Sequence, residues 1–326
     1  MKKSLFFFLS FLSIQAFAQF KASEPLAHTF SIVARDPITG EMAVGVQSHW
    51  FSVGTSVSWA EAGVGAVATQ SFTNKSFGIR GLKLLKEGKT AQEALNILLS
   101  DDPGIDVRQV AIVDNKGNVA VHTGKGCVQF AGDLKGEQYS VQSNMMLTNK
   151  VPAAMSKAFE ASKGKPLSQR IMAALNAAQV VGGDIRGKQS AAILVVPAVS
   201  KGEPWNERTV DLRVDDSAEP LKELERLLKV HEAYQFMNEG DLAVEKNDMP
   251  KAMTLYGNAM KMFPENLEMQ YWTAVTLANN KEVSKALPMF KKIFAQDKNW
   301  KEMTKRLPAV KLLTVSDAEL KQILSL

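Results

Sequence analysis

The hydrophobic pattern first becomes readable near residue 30. Phe30-Ser31-Ile32-Val33-Ala34 alternates and is rich in β-branched residues, which predicts a strand. Asp36-Pro37-Ile38-Thr39-Gly40 has turn chemistry, because Pro presets φ and Gly accepts a positive one. Met42 to Val46 returns as a second strand and closes a hairpin. Val53 to Trp59 and Val64 to Thr69 read as two more strands, joined around Ala62-Gly63. The period then changes. Ile79, Leu82, Leu84 and Leu85 form a helical stripe that stops near Gly88. Thr90-Ala91-Gln92-Glu93 is a capping box, opening a helix through Leu95, Leu98 and Leu99 that ends before Pro103. Val107 to Val113 and Val119 to Thr123 flank the turn Asn115-Lys116-Gly117-Asn118. Tyr139 to Leu147 is a further strand, and Pro152 to Val181 is helical with a break near Gly164-Lys165-Pro166. Ala191 to Val196 and Thr209 to Val214 are late strands. This order predicts an α+β sandwich of sheets packed on helices. Strict βαβ alternation is missing, which argues against a Rossmann-type fold.

From Glu219 onward the strand signals vanish. Phe236, Gly240, Ala243, Ala252, Tyr256, Ala259 and Pro264 have the spacing of one tetratricopeptide unit. A second unit follows at Gln270, Ala274, Leu277, Ala286, Phe290, Ile293 and Lys298, without the final Pro. Small residues at Gly240, Ala252, Ala274 and Ala286 let helices approach closely, and Tyr256 and Phe290 fill the space between them. The readings are a tetratricopeptide-like pair or a generic helical hairpin. Leu221 to Leu228 supplies a leading helix, and the capping box Ser316-Asp317-Ala318-Glu319 opens a final one. A repeat of this kind offers a concave groove to a protein or peptide partner.

Composition adds compartment and partner class. Hydrophobic residues make up 45% of the 326 residues and charged residues 22%, values of a folded chain rather than a disordered one. The first residues read MKKSLFFFLSFLSIQAFAQF: a charged start, an apolar run too short to span a bilayer, and an Ala16-Phe17-Ala18 cleavage site. We therefore expect a signal peptide over residues 1–18 and an exported protein, periplasmic or secreted. No stable membrane insertion is expected. Loss of Lys2 and Lys3 would lower the formal charge from +5 to +3, too weak and dispersed for a nucleic-acid footprint. Cys127 is the single cysteine, so no internal disulfide can form; it is a buried small hydrophobe or a reactive thiol. Four scattered histidines show no metal-ligand spacing, and no cofactor is expected.

The chain carries no GxSxG, Walker A, GxGxxG or zinc motif. The distinctive segments are His28-Thr29-Phe30-Ser31-Ile32-Val33-Ala34-Arg35-Asp36, Gly63 to Gln70, His122-Thr123-Gly124, Gln142-Ser143-Asn144, and Gly182-Gly183-Asp184-Ile185-Arg186-Gly187-Lys188-Gln189-Ser190-Ala191-Ala192. In this order they resemble the bacterial domain-of-unknown-function 1028 family, over roughly Thr29 to His231. That family is placed in the N-terminal-nucleophile hydrolase superfamily. The resemblance implies a four-layer αββα sandwich, with two antiparallel sheets between helical layers. It also implies a nucleophile at the first residue of the mature chain, for which Thr29 is the candidate. A free α-amine, with a pKa of about 7.7–8.0, would take the hydroxyl proton.

The expected organisation is a signal peptide (1–18), a linker or propeptide (19–28), the sandwich domain (29–218) and the helical domain (219–326). Cleavage after Ala18 would leave ten residues ahead of Thr29 and make its nitrogen an amide. A second cut at His28–Thr29 would be required, or Thr29 is an ordinary strand residue. Asn144 could donate to an oxyanion or cap a turn. Asp184 and Arg186 could grip a polar substrate end or form a salt bridge that fixes the loop. Gln189 and Ser190 share that ambiguity. His49 and His122 are candidates for polar contacts or structural residues. The sequence thus supports an exported hydrolase of a small amide or peptide, or a non-catalytic binding protein that keeps the fold and docks a partner through its helical repeat. A small-molecule binder using the GGD loop is a third reading. A homo-oligomer is compatible with each.

Overall fold

The computed structural model describes residues 26–27 and 29–326. The expected leader, and residues 19–25 and 28 of the segment after it, lie outside the described residues. The chain divides into two compact units, the first ending at Ala218 and the second covering Glu219–Leu326.

The first unit contains two antiparallel sheets. Its elements, in chain order, are β1 (Leu26–Ala27), β2 (Thr29–Arg35), β3 (Met42–Ser48), α1 (Gly54–Val57), β4 (Ser58–Glu61), β5 (Gly65–Phe72), α2 (Ser76–Lys86), α3 (Ala91–Ser100), β6 (Arg108–Asp114), β7 (Val119–Thr123), β8 (Gly132–Gly136), β9 (Tyr139–Ser143), α4 (Val151–Ala161), α5 (Leu167–Val180), β10 (Ser190–Val196) and β11 (Val210–Val214). One sheet runs β1-β5-β6-β7, with β4 also pairing β5; the other runs β11-β10-β3-β2-β9-β8. Every pairing is antiparallel.

Period-2 alternation explains why the sheets stack. One set of side chains, including Val33, Val44, Val46, Ala66, Ala68, Ala111 and Val113, forms an apolar cluster with Leu194 and Val196 between the sheets. The opposite set on β5, β6 and β7, including Val67, Val110, Ile112 and Ala120, packs on Leu82, Leu85, Leu95 and Leu98 of α2 and α3. On the other sheet, Gly45 leaves no room for a side chain, because a Cβ there would meet Ile171 of α5 at 2.2 Å. Tyr139 of β9 packs on Phe159 of α4, ring centroids 4.6 Å apart, and its hydroxyl bonds Ser156 at 2.8 Å. The Thr90–Glu93 capping box forms as expected. A buried ion pair anchors the start of β6: Arg108 Nε meets Asp102 Oδ2 at 2.8 Å, both side chains only 4% exposed, and Arg108 Nη1 donates to the Phe72 carbonyl.

Three expectations are corrected. Val53 to Trp59 is not one strand: Gly54–Val57 is a single helical turn and only Ser58–Glu61 is extended. The turn is held by distant partners, since Ser52 has a left-handed φ of 54°, its N–H bonds the Asp215 carbonyl, and the Val53 N–H bonds Ser190 Oγ. The strand begun at Tyr139 ends at Ser143 rather than Leu147, because Met145 turns left-handed (φ 57°) and Met146 bridges Asp184. Strand β8 was not expected; its sequence GDLKG is short, polar and Gly-bounded, and carries no strand pattern.

The second unit is helical: α6 (Pro220–Glu245), α7 (Met249–Met262), α8 (Leu267–Asn279), α9 (Val283–Gln296), α10 (Lys298–Arg306) and α11 (Asp317–Leu324). Gly240 of α6 lies under Tyr256 of α7, where a Cβ would meet the ring at 2.4 Å. Ala252, Tyr256 and Ala259 share a core with Ala233, Met237 and Met269. Tyr271, Ala274, Ala286, Phe290 and Ile293 form the next cluster along. Ser316 and Glu319 complete the capping box that opens α11. Among the described residues, no helix is long and apolar enough to cross a membrane.

Candidate functional site

The space between the sheets changes character along the strands. At one end it is filled by the Val and Ala cluster. At the other, the inner positions of the same strands turn polar. Register builds this end: Ser31 lies opposite Gln142, Gln70 opposite Gln109, and Gln109 opposite Thr123. On the other side of β2, Thr29 lies opposite Ser48, and Ser48 opposite Ser190, giving a row of three hydroxyl residues across β2, β3 and β10. All three are fully buried.

Buried amides are costly unless bonded, and here they bond one another. Gln142 Nε2 donates to Ser31 Oγ at 2.6 Å, and Ser31 Oγ donates to Gln70 Oε1 at 2.6 Å. Gln70 Nε2 reaches Gln109 Oε1 at 2.7 Å and the Thr29 carbonyl at 3.3 Å. Gln109 Nε2 reaches Thr123 Oγ1 at 2.9 Å and the Ser143 carbonyl at 3.0 Å. Thr123 Oγ1 donates to Asp133 Oδ1 at 2.5 Å. The network is not saturated: Gln142 Oε1 and Ser140 Oγ are buried without a hydrogen-bond partner.

The structure brings Asn144 to Thr29. The Asn144 backbone N–H donates to the Thr29 carbonyl at 3.0 Å, and its side-chain Nδ2 donates to Gln109 Oε1 at 2.8 Å. Asn144 is fully buried and tied into the network. The Gly-rich loop lies next to this row through Ser48 and His49. Asp184, its side chain wholly buried, accepts from the His49 N–H at 3.1 Å. It also takes the Arg186 N–H at 2.9 Å and the Arg186 guanidinium at 3.0 and 2.7 Å. Of the two roles open for this pair, the geometry displays the loop-fixing salt bridge. Ser190 Oγ donates to the Trp50 carbonyl and accepts from Val53 N–H at 3.0 Å. Gln189 Nε2 donates to Asp216 Oδ1 at 3.2 Å. Both therefore brace the segments at residues 50–53 and 215–217.

The polar row was missed from sequence apart from Thr29, Asn144 and Ser190. A signal existed. The dipeptide Gln-Ser occurs at Gln47-Ser48, Gln70-Ser71 and Gln142-Ser143, at or near the C-terminal ends of β3, β5 and β9, and at Gln189-Ser190, at the N-terminal start of β10. Polar pairs repeated at strand ends mark a polar layer.

A family described as "Family of unknown function (DUF1028)" matches residues 29–224, which span the sandwich and the start of α6. The chain belongs to the DUF1028 family. Protein SPO2555 from Silicibacter pomeroyi, a crystal structure assigned to DUF1028, is 31% identical, with a TM-score of 0.56 over 62% of this chain and 88% of that one. The Anbu (ancestral beta-subunit) from Yersinia bercovieri is 12% identical, with a TM-score of 0.31 over 67% of this chain and 97% of that one. A likeness that low fixes neither fold nor function. No curated protein matches the chain.

Two other candidates in the DUF1028 domain resolve on geometry. Burial pushes the Cys127 thiol up, which favours the thiol over the thiolate, and its sulfur sits 3.6 Å from Ser71 Oγ and from the Arg108 carbonyl. His122 Nε2 lies 2.9 Å from the Ile105 carbonyl, a structural tie. Among the described residues, no group of three or more His, Cys, Asp or Glu side chains is placed to hold a metal ion.

Proposed function

We propose that the DUF1028 domain is an exported hydrolase of small amide or peptide bonds, built on the four-layer N-terminal-nucleophile sandwich, with Thr29 as nucleophile. The observation that carries this reading is the position of Thr29: first residue of β2, in a hydroxyl row at the polar end of the inter-sheet space. In the active form the chain starts at Thr29. Its free α-amine takes the hydroxyl proton, the alkoxide oxygen attacks the substrate carbonyl, and an acyl-enzyme forms as the amine leaves with a proton. Water then releases the acid. Asn144 and Gln70 hold the Thr29 carbonyl and so aim the residue. Asn144 Nδ2, spent on Gln109 here, and Gln70 Nε2, on the Thr29 carbonyl, are the side-chain donors for an oxyanion on this reading. Asp184 and Arg186 fix the loop beside the site.

A second reading has its own observation. Leu26–Ala27 precede Thr29 and pair with Phe72 and Ser71 of β5, so in the uncut chain the Thr29 nitrogen is an amide and cannot act as a base. On that reading the sandwich is a binding module. The helical unit is then a tetratricopeptide-like docking surface for a protein or peptide, which the close approach of α6 and α7 at Gly240 supports.

One experiment separates the readings. The full-length gene is expressed in an exporting host, and the intact mass and N-terminal sequence of the mature protein are determined. A chain starting at Thr29 that hydrolyses a panel of N-acyl amino acids and dipeptides, and loses this in Thr29→Ala, is the outcome expected of the hydrolase. A chain starting at Gln19 rejects it and leaves the binding module.

A further inference from the structure

On one flank, away from Thr29, the inter-sheet space opens outward. A cleft of about 610 Å³ lies there, lined by β4, β10 and β11 together with the β10–β11 connection. That volume lies within the range of small-molecule sites. Its floor is apolar, made by Ala192, Leu194 and Val196 of β10 and by Ala60 and Ala62. On β11 the inner positions are Arg213, opposite Ala192, and Asp211, opposite Leu194. Charged residues thus stand where a closed sandwich would carry apolar ones.

The charges of the rim sort into partners, with one left over. Lys86 meets Glu61 at 2.6 Å, and Arg208 meets Asp211 at 2.6 Å. Glu207 accepts from Ser200 Oγ at 2.8 Å and from the Glu203 N–H at 3.2 Å, which pins the β10–β11 connection. Arg213 has no acidic or hydrogen-bond partner among the described residues, while its Cγ and Cδ lie against Gly54, within about 3.2 Å of where a Cβ would sit there. Arg213 as a whole is exposed, its stem packed against Gly54 and its guanidinium met by no acidic side chain among the described residues. A second unspent group is close by: the Ser58 hydroxyl, on the inner face of β4, is buried without a partner and its residue lines the same cleft.

We propose that this cleft binds a small monocarboxylic acid with an apolar body. Its carboxylate sits bidentate on Arg213, its chain lies over Ala192 and Leu194, and a polar atom of the ligand meets the Ser58 hydroxyl. A planar guanidinium fork matches a carboxylate in shape and charge. A single negative charge is what the cleft can neutralise, since Glu61, Glu207 and Asp211 on the rim would repel a dianion. None of these residues belongs to the Thr29 site, so the proposal stands or falls independently of the hydrolase reading.

The test is titration calorimetry on the full chain with octanoate and its neutral isostere octanamide. Octanoate is expected to bind saturably, one per chain. Octanamide, and octanoate on Arg213→Gln, are each expected to bind at least about tenfold more weakly, the scale of one charge-assisted interaction. Arg213→Lys, which keeps the charge without the fork, should fall between, and Thr29→Ala should bind like the parent. No saturable binding of octanoate, equal binding of octanamide, unchanged affinity in Arg213→Gln, or loss of binding in Thr29→Ala would each overturn the proposal.

Discussion

The two ends of the inter-sheet space are built by the same strands and solve opposite problems. At one end, Met42, Val33, Val44, Val46, Ala66, Ala68, Ala111 and Val113 fill volume. Their attraction is non-directional, so a neighbour of similar size can take over the contact. At the other end, Ser31, Gln70, Gln109, Gln142 and Asn144 hold each other through named donors and acceptors. Each such bond adds little net stability, yet losing one partner leaves the other stranded. A sandwich selected for stability alone would extend Val and Ala to both ends. Stability alone therefore does not account for the polar end, and Thr29, the nucleophile of the proposed hydrolase, starts there.

This contrast can be strained by substitution. Arg108→Ala, beside the polar end, strands the Asp102 carboxylate and should cost about 3–5 kcal/mol in urea denaturation. The pair also sets an acid limit. Burial pushes the Asp102 carboxyl up, but the Arg108 guanidinium and the Gly104 amide outweigh it and hold it below the ordinary 3.8. A depressed carboxyl contributes stability above pH 3.8 that is lost as pH falls through its lower folded value. That acid-dependent loss should shrink in Arg108→Ala. Met42→Ala empties part of the apolar end and should cost about 2–5 kcal/mol by the same measurement. Gln70→Ala removes the acceptor of Ser31 and should cost about 1–3 kcal/mol. The combined variant Ser31→Ala, Gln70→Leu, Gln142→Leu removes partners together; it should recover to within about 1 kcal/mol of the parent while abolishing any hydrolysis. If that variant keeps full activity, the polar end is structural and the contrast loses its meaning. Thr90→Ala, outside both ends, removes a helix cap and should cost about 1 kcal/mol without changing activity.

Most elements were legible because their signals are local. The hairpin around Asp36–Gly40, the capping boxes at Thr90 and Ser316, and the helical break near Gly164 follow from residues within a few positions of each other. What failed depends on distant partners. Residues 53–57 curl into a turn because Ser190 and Asp215 hold them from across the unit. The polar row was invisible residue by residue, since a buried Gln on a strand reads as a surface position until its register partner is known. Thr29 and Asn144 could be named from the sequence; their meeting through the Asn144 N–H could not.

Strand β1 pairs with one sheet and β2 with the other, and a single residue separates them. The chain at that point acts as a stitch between the two layers, at the end where Thr29 lies. Cutting the bond ahead of Thr29 would therefore do two things in one stroke. It would turn an amide into an amine, and it would sever β1, paired with one sheet, from β2, paired with the other. On the proposed hydrolase reading, one irreversible event would both free the amine and detach β1 from β2.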